Sequence, residues 1–408
     1  MRSTTTAGSK RRPSPFIAIF LGVAALVLAL ALPAYVVPAW RVLPLNLMMS
    51  NSTAPTRSTW LDSAALEANA PVPGAAGRPE CQGANKPLDC FIRTDAMLQS
   101  RSYTVAQQPS DSKTVTIEVG DQLSDPSSKR DADGSVSPVA ATVDHVTLDR
   151  ETQMPVPDPV STLKLYPPAR KAGAVESVSP FVRDGVQYQF PMGTDRASYP
   201  FYDIHTLESN PIEFVGELQR DGEKIYRFEQ TVGPTELYPR VQAMLNADGT
   251  LDGSDKAVLS SLKMTMPARS WGLGSGDNDV QMSRYYTVHR VLFVEPSTGV
   301  VVDSFSDTWM FYARDDQDAR NLAQPDSRRS ELAHPTRTAL HFAAGWDEAS
   351  KRDHMARAKE QIRSTRILGV IAPAICGALG AALLLAGLWL LRRQAKKSAA
   401  EPRPPIAG

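Results

Sequence analysis

The sequence predicts a mainly antiparallel β extracytoplasmic domain with a helical stalk, flanked by N- and C-terminal transmembrane helices. Three observations carry that reading. Two uncharged apolar runs, residues 16–37 and 367–391, hold 22 and 25 residues, and a bilayer core takes roughly 20 helical residues to cross. Between them lie short alternating runs rich in β-branched residues, the pattern of half-buried strands. Residues 339–366, rich in Ala, Glu, Lys, Arg and Met and free of proline, predict a helix running directly into the second apolar run.

Charge sets the expected topology. The 408 residues balance 44 Lys+Arg against 44 Asp+Glu, but residues 1–15 and 392–408 each carry +4 and residues 38–366 carry −8. A neutral chain with an acidic middle argues against a nucleic-acid partner. Lys10, Arg11 and Arg12 precede the first run, whereas only Arg41 and Arg57 follow it closely, which keeps the N-terminus in the cytoplasm. A cleaved signal peptide is the competing reading, since Val37-Pro38-Ala39 resembles a cleavage site. Twenty-two apolar residues exceed the usual signal-peptide core of roughly 7 to 15 and favour an uncleaved anchor. The second run has cations on both sides, so its direction follows from the first: both tails are cytoplasmic, in a two-pass cell-membrane protein with one large outer region.

The expected organisation is a cytoplasmic tail (1–15), a transmembrane helix (16–37), a Pro/Ala/Ser-rich outer region with short strands (38–180), a β domain (181–314), a helical stalk (315–366), a second transmembrane helix (367–391) and a cytoplasmic tail (392–408). In the first outer region, residues 114–119 and 143–148 alternate as strands do. In the second, residues 211–218 and 223–232 flank Asp221-Gly222, a favoured hairpin turn because both positions tolerate positive φ. Residues 284–294 and 299–305 flank Glu295-Pro-Ser-Thr298, with Pro296 and Gly299 supplying the turn. Residues 256–266 read as a further strand and 308–312 extend the sheet. Cys81 and Cys90 are close enough to close a local disulfide in an oxidising compartment. A metal-ligand role for them is weaker, because no second Cys or His pair is near. Cys376, inside the second span, reads as a packing residue.

No catalytic or metal site emerges, and no cofactor is expected. Ser275 in Gly272-Leu-Gly-Ser-Gly276 lacks the flanking glycines of a nucleophile elbow and reads as a loop. The six histidines, 145, 205, 289, 334, 341 and 354, lack zinc-ligand spacing. Residues 246–255 (Asn-Ala-Asp-Gly-Thr-Leu-Asp-Gly-Ser-Asp) offer oxygen ligands, but Leu259 stands where a calcium loop needs its bidentate Glu. Consecutive Asp-Gly turns explain the segment without a metal. Asn51-Ser-Thr53 is a formal glycosylation sequon, and phosphate-loop, dinucleotide and kinase signatures do not occur. A non-enzymatic protein is the expectation.

The apolar runs carry more. Gly369, Pro373, Gly377 and Ala381 recur every four residues, as do Ala374, Ala378, Ala382 and Ala386. Ala18, Gly22, Ala25 and Ala29 form a matching strip in the first run, a spacing that admits close helix contact or a helix-mediated oligomer, or simply marks an alanine-rich lipid-facing helix. Lys351, Arg352, Arg357, Lys359, Arg363 and Arg366, against Asp353 and Glu360, give the stalk a net +4, suited to anionic headgroups and equally to a solvated helix face.

The two-anchor layout, with Tyr199-Pro-Phe-Tyr-Asp203, Glu213-Phe-Val-Gly216, Lys224-Ile-Tyr-Arg-Phe228 and Arg290-Val-Leu-Phe-Val-Glu-Pro-Ser-Thr-Gly299, resembles the actinobacterial envelope family of PorA-type porins. The resemblance covers both spans and most of residues 181–312. It implies either channel formation in the cell wall or, as in mycobacterial relatives tied to polar envelope growth, handling of a trehalose mycolate lipid beside a lipid-export membrane protein. A pore needs a closed barrel or a ring of helices. Acidic, turn-rich strands tethered by two plain apolar helices therefore favour an outer β domain that binds or relays an envelope glycolipid or scaffolds envelope assembly, with the channel as the alternative. Tyr199, Phe201, Tyr202, Trp271 and Trp309 are candidates to line an apolar cleft, with core packing the default; no ligand-binding residue is assigned.

Overall fold

Apolar helix, alternating strands and apolar helix follow one another as their sequence periods dictate. The computed structural model describes residues 14–127, 136, 138–166, 175–176, 179–274 and 276–400. The tail cations Arg2, Lys10, Arg11, Arg12 and Arg403, and Ser275, lie outside them. The chain forms two compact units, one from Met1–Val42 with Glu360–Gly408 and one from Leu43–Lys359. It enters through α1 (Pro15–Ala31), which has proline in its first turn, where a missing N–H costs nothing. A π-helical turn, Leu32–Val36, leads to α2 (Val37–Trp40).

The larger unit is built on one antiparallel sheet curled into a half-barrel. Its first strands are β1 (Met48–Ser52) and β2 (Thr56–Leu61), then, after the short α3 (Ser63–Glu67), β3 (Ile92–Gln107), β4 (Thr114–Ser124), β5 (Ala140–Asp149), β6 (Thr162–Tyr166) and β7 (Val175–Glu176). The expectation of short strands in residues 38–180 fails at β3 and β4, which have 16 and 11 residues. β3 runs long because it pairs with β1 and β2 along one side and β4 along the other. The chain continues through β8 (Tyr199–Asp203), β9 (Glu208–Arg220) and β10 (Glu223–Glu236). The turn between β9 and β10 is Asp221-Gly222, with φ of +53° and +84°, the two left-handed positions a tight hairpin requires.

Two expected elements change type. Residues 256–266 are not one strand. After α4 (Tyr238–Leu245), α5 (Gly253–Leu262) precedes a short β11 (Lys263–Pro267). Asp252 caps α5 by accepting from the Asp255 N–H at 2.8 Å while Asp255 accepts from the Asp252 N–H at 2.9 Å, a reciprocal box that starts a helix. The acids read as oxygen ligands are thus engaged in helix capping, and Asp248 holds its own turn through Thr250. β12 (Asp279–Glu295) and β13 (Val300–Ala313) form the second expected hairpin, followed by α6 (Asp316–Leu322) and α7 (Pro325–Ala333).

The second change is larger. Of the helix expected over 339–366, the first part is β14 (Thr338–Gly345), and α8 (Glu348–Arg366) begins only after it. β14 enters the sheet between β2 and β13, giving the order β7-β6-β5-β4-β3-β2-β14-β13-β12-β10-β9-β8, with β1 on β3 and β11 on β12. Two flanking partners outweigh the modest helix preference of an Ala-rich segment. Residues 315–366 therefore form two short helices, a central strand and one long helix instead of a continuous stalk. Trp271 and Tyr312 pack with the bonded Cys81–Cys90 pair in one core cluster. Trp309, Tyr285 and Phe311 pack beneath α6 in another.

A second π-helical turn, Ile367–Ile371, leads into α9 (Ala372–Ala400). The helices covering Pro15–Ala39 and Glu348–Lys396 are long and apolar enough to cross a membrane. α1 and α9 pack antiparallel. A Cβ on Gly380 would stand 2.9 Å from the Gly22 carbonyl oxygen, one on Gly387 would meet Ile19, and one on Gly377 would lie 4.0 Å from the Ala29 methyl. The contact strip thus runs through Gly377, Gly380 and Gly387 and leaves the strict four-residue spacing. At 3.6 residues per turn, steps of three and four must alternate for residues to stay on one face.

Candidate functional site

Strand alternation lines the inside of the half-barrel with small polar and large apolar side chains. On β13, Ser304, Ser306, Thr308 and Met310 face inward, while Trp309 and Phe311 point outward to their own core cluster. Leu340, Phe342 and Ala344 of β14 add an apolar stripe, and Ser100, Ser102 and Thr104 of β3 a polar one. α5 and residues 187–205 add to the wall, with residues of β1, β2, β4, β5 and β12, around an open-sided cavity of about 490 Å³, within the range of ligand sites.

The Glu-Pro-Ser-Thr-Gly turn fixes that wall. The buried Glu295 carboxylate accepts from the Ser297 N–H at 3.0 Å and from the Thr298 N–H and hydroxyl at 2.9 and 2.7 Å. Gly299 takes φ +71°, and a Cβ there would overlap the Phe190 carbonyl. The Phe190 N–H donates to the Gly299 carbonyl at 2.9 Å, and the Gly193 and Thr194 N–H groups donate to Pro296. The motif is a latch that docks residues 189–194, next to the cavity residues Gln187 and Tyr188.

Two buried ion pairs brace the cavity. Asp203 accepts from Arg290 at 2.7 Å and from the Tyr286 hydroxyl at 2.8 Å, and Arg290 also donates to Gln230 at 2.8 Å. Burial alone would raise the Asp203 carboxyl, but Arg290, His205 and the Tyr286 hydrogen bond outweigh it and hold the group below the ordinary carboxylate range. Burial keeps His205 below its ordinary value despite Asp203, and burial with Asp203 pushes Tyr286 up. Arg183 holds Asp144 through two bonds of 2.6 and 2.7 Å, Tyr188 donates to the same carboxylate, and the guanidinium stacks 4.3 Å from the Tyr202 ring. The Tyr202 hydroxyl, on a residue 3% exposed, has no partner among the described residues, and burial pushes it up to about 12.

Other polar groups in the wall are equally unspent. Asn51, Ser102, Asp121 and Thr142 stand opposite one another in register across β1, β3, β4 and β5, and all four line the cavity. Among the described residues the side chains of Asn51, Ser102 and Thr142 make no hydrogen bond. Among the same residues Asp121 has only the Ser100 hydroxyl at 3.4 to 3.5 Å, and burial pushes it up to about 6.

With this geometry in hand, comparison with known sequences is decisive. The family model described as Porin PorA matches residues 14–389. The chain belongs to the Porin PorA family. A protein named Porin PorA from Corynebacterium resistens is 44% identical over 405 residues, covering 93% of this chain and 97% of its own. Another of that name from Corynebacterium amycolatum is 36% identical over 384 residues, covering 92% and 98%. The family bears the name of a porin and not of an enzyme.

Within this PorA-family chain the residues singled out from sequence scatter. Phe201 and Tyr202 line the cavity, Tyr199 packs edge-on to Phe190, and Trp271 and Trp309 are core residues. Asn51 of the sequon faces the cavity from a paired strand. Of the six headgroup candidates, Lys351 pairs with Glu348 at 2.9 Å and lies 3.8 Å from Asp303, and Arg357 donates to the Met48 carbonyl. Arg352 and Lys359 stand in the same unit, and Arg363 and Arg366 in the other. Cys81 and Cys90 are joined, with Cα atoms 5.6 Å apart. The register row, the Asp203–Tyr286–Arg290 cluster and the latch escape sequence reasoning, although the Ser304-x-Ser306-x-Thr308 alternation signals a polar inner face.

Two outcomes follow. Gly299→Ala should cost about 3 kcal/mol or more in urea unfolding, through its positive φ and the Phe190 overlap, and should expose residues 187–194 to proteolysis. Asp121 has a folded-state value above its unfolded one. Its contribution is therefore favourable below the unfolded value and is lost as pH rises through about 6. Asp121→Asn should raise the melting temperature by a few degrees at pH 7.5, at most about 3 kcal/mol with solvent access reducing it, and change little at pH 4.

Proposed function

We propose that the chain is a cell-envelope membrane protein that forms channels, and that its conducting path is built by several copies. The shared name of relatives matched over 97% and 98% of their lengths carries this reading. It displaces the glycolipid-handling preference drawn from sequence, which no comparison supports. Physics constrains how such a channel is built. The curled sheet ends in β7 on one side and β8 on the other, and α1 and α9 touch through glycines, leaving no lumen between their backbones. The described residues of a single copy thus form neither a closed barrel nor a helix ring.

The cationic cluster at residues 10–12 and the antiparallel run of α1 and α9 support cytoplasmic termini with residues 38–366 outside. Arg352, Lys359, Arg363 and Arg366, which make no ion pair among the described residues, then suit contact with anionic headgroups. The full-length protein in planar bilayers should give discrete conductance steps. Well-folded protein that never exceeds the empty bilayer would contradict the channel reading.

The cavity, with its apolar stripe beside unspent polar groups, favours a second reading: the outer unit holds an amphiphile such as an envelope lipid. Mass spectrometry of detergent-exchanged full-length protein should then find one amphiphile per chain. Protein that stays empty after expression in an actinobacterial host would remove this reading.

A further inference from the structure

Among the described residues, the row Asn51–Ser102–Asp121–Thr142 holds the one carboxylate of the cavity wall without a cation. Asp203, the other acid of the wall, is bound by Arg290 and Tyr286. Nearby, Arg183 is bound through both Nη atoms to Asp144, and Tyr188, which also feels the Asp121 charge, donates to Asp144 too. The register neighbours of Asp121 on β3 and β5 are the neutral Ser102 and Thr142. Arg284, the cavity's remaining guanidinium, donates to the Tyr312 hydroxyl on the other side of the sheet order, beyond β14. Asp121 is half-buried, and a partly desolvated carboxylate with no counter-charge costs stability unless something supplies the charge.

We propose that this row is a subsite for the ammonium group of an organic ligand, with Asp121 taking the charge and the adjacent Ser102 and Thr142 hydroxyls accepting its N–H donors. The proposal rests on the ligand-holding reading and specifies the chemistry of the group held. The Tyr202 hydroxyl, on a residue 3% exposed, is a further polar group of the wall without a partner among the described residues, and buried hydroxyls seldom go without one. The apolar stripe of Leu340, Phe342 and Ala344 suits the ligand's hydrocarbon part. A metal ion fits less well, because one carboxylate beside neutral hydroxyls falls short of the roughly six or more oxygen ligands, several of them charged, that a hard cation gathers.

The test uses full-length protein in detergent with Cys376→Ala, so that an introduced thiol is the only free one beside the Cys81–Cys90 disulfide. Ser102→Cys and, separately, Thr142→Cys place a thiol beside Asp121, at a Cβ separation of roughly 5 Å. Each is reacted with a trimethylammonium-bearing and a sulfonate-bearing methanethiosulfonate. Relative to free cysteine, the cationic reagent should be favoured by about tenfold or more, and Asp121→Asn should return the ratio to the free-cysteine value. Hexylammonium should slow labelling where hexanol and hexanoate do not. A ratio unchanged by Asp121→Asn, or equal protection by hexanol, overturns the ammonium subsite and leaves the ligand-holding reading standing. No reaction at either position with either reagent overturns both. Labelling needs no conductance, so the channel reading is judged separately.

Discussion

The insertion of β14 between β2 and β13 is the contact on which the larger unit depends. Without it, β1 to β7 and β8 to β13 would be two separate sheets. The β14–β2 ladder is short, pairing Leu340 with Trp60 and His341 with Thr59, and the residues that follow reinforce it. Asp347 accepts from the Ser52 hydroxyl at 2.6 Å, Ser350 accepts from the Ser52 N–H at 2.8 Å, and Thr53 bridges Trp346. The His354 ring lies 3.0 Å from the Val301 carbonyl and 3.3 Å from that of Ser50, so one imidazole spans β13 and β1. Most of these contacts join residues almost 300 apart in sequence, so closing them forfeits chain entropy that only a completed sheet returns.

The same insertion makes the cavity. β14 supplies its apolar stripe, and the curl it imposes brings the inner faces of β4 and β12 around one space. Within that space polar groups divide into two kinds. Asp203, Arg290, Tyr286 and Gln230 satisfy one another and serve as bracing. Asp121, Asn51, Ser102, Thr142 and Tyr202 do not, and an interior normally leaves few such groups unpaired. Bracing and unspent capacity therefore separate the residues that hold the wall from those available to a guest.

Much of the fold was legible because its signals are local. Asp221-Gly222 and Glu295 to Gly299 fixed two hairpins, and the alternation in 114–119 and 143–148 marked β4 and β5. β14 was not legible: Thr338–Gly345 has little strand propensity, and only the vacancy between β2 and β13 selects that conformation. α5 was hidden because Asp252 and Asp255 look alike as turn residues, ion ligands or helix cap, and only the helix behind them decides. The helix contact was partly legible, in Gly22 and Gly377, but a strict four-residue step misses Gly380 and Gly387. The candidate site was least legible. Its polar row takes one residue from each of four strands, and a one-residue slip in any of them would turn that side chain to the opposite face.

Hydrogen exchange followed by mass spectrometry on the full-length protein addresses the role of β14 most directly. If β14 joins the halves, the amides of Leu340–Ala344 should exchange as slowly as those of β12 and β13, and β3, β4 and β13 should become labelled together in one cooperative opening. Early exchange of β14, with β3, β4, β12 and β13 still protected, would show that the halves stand without it and would contradict the account.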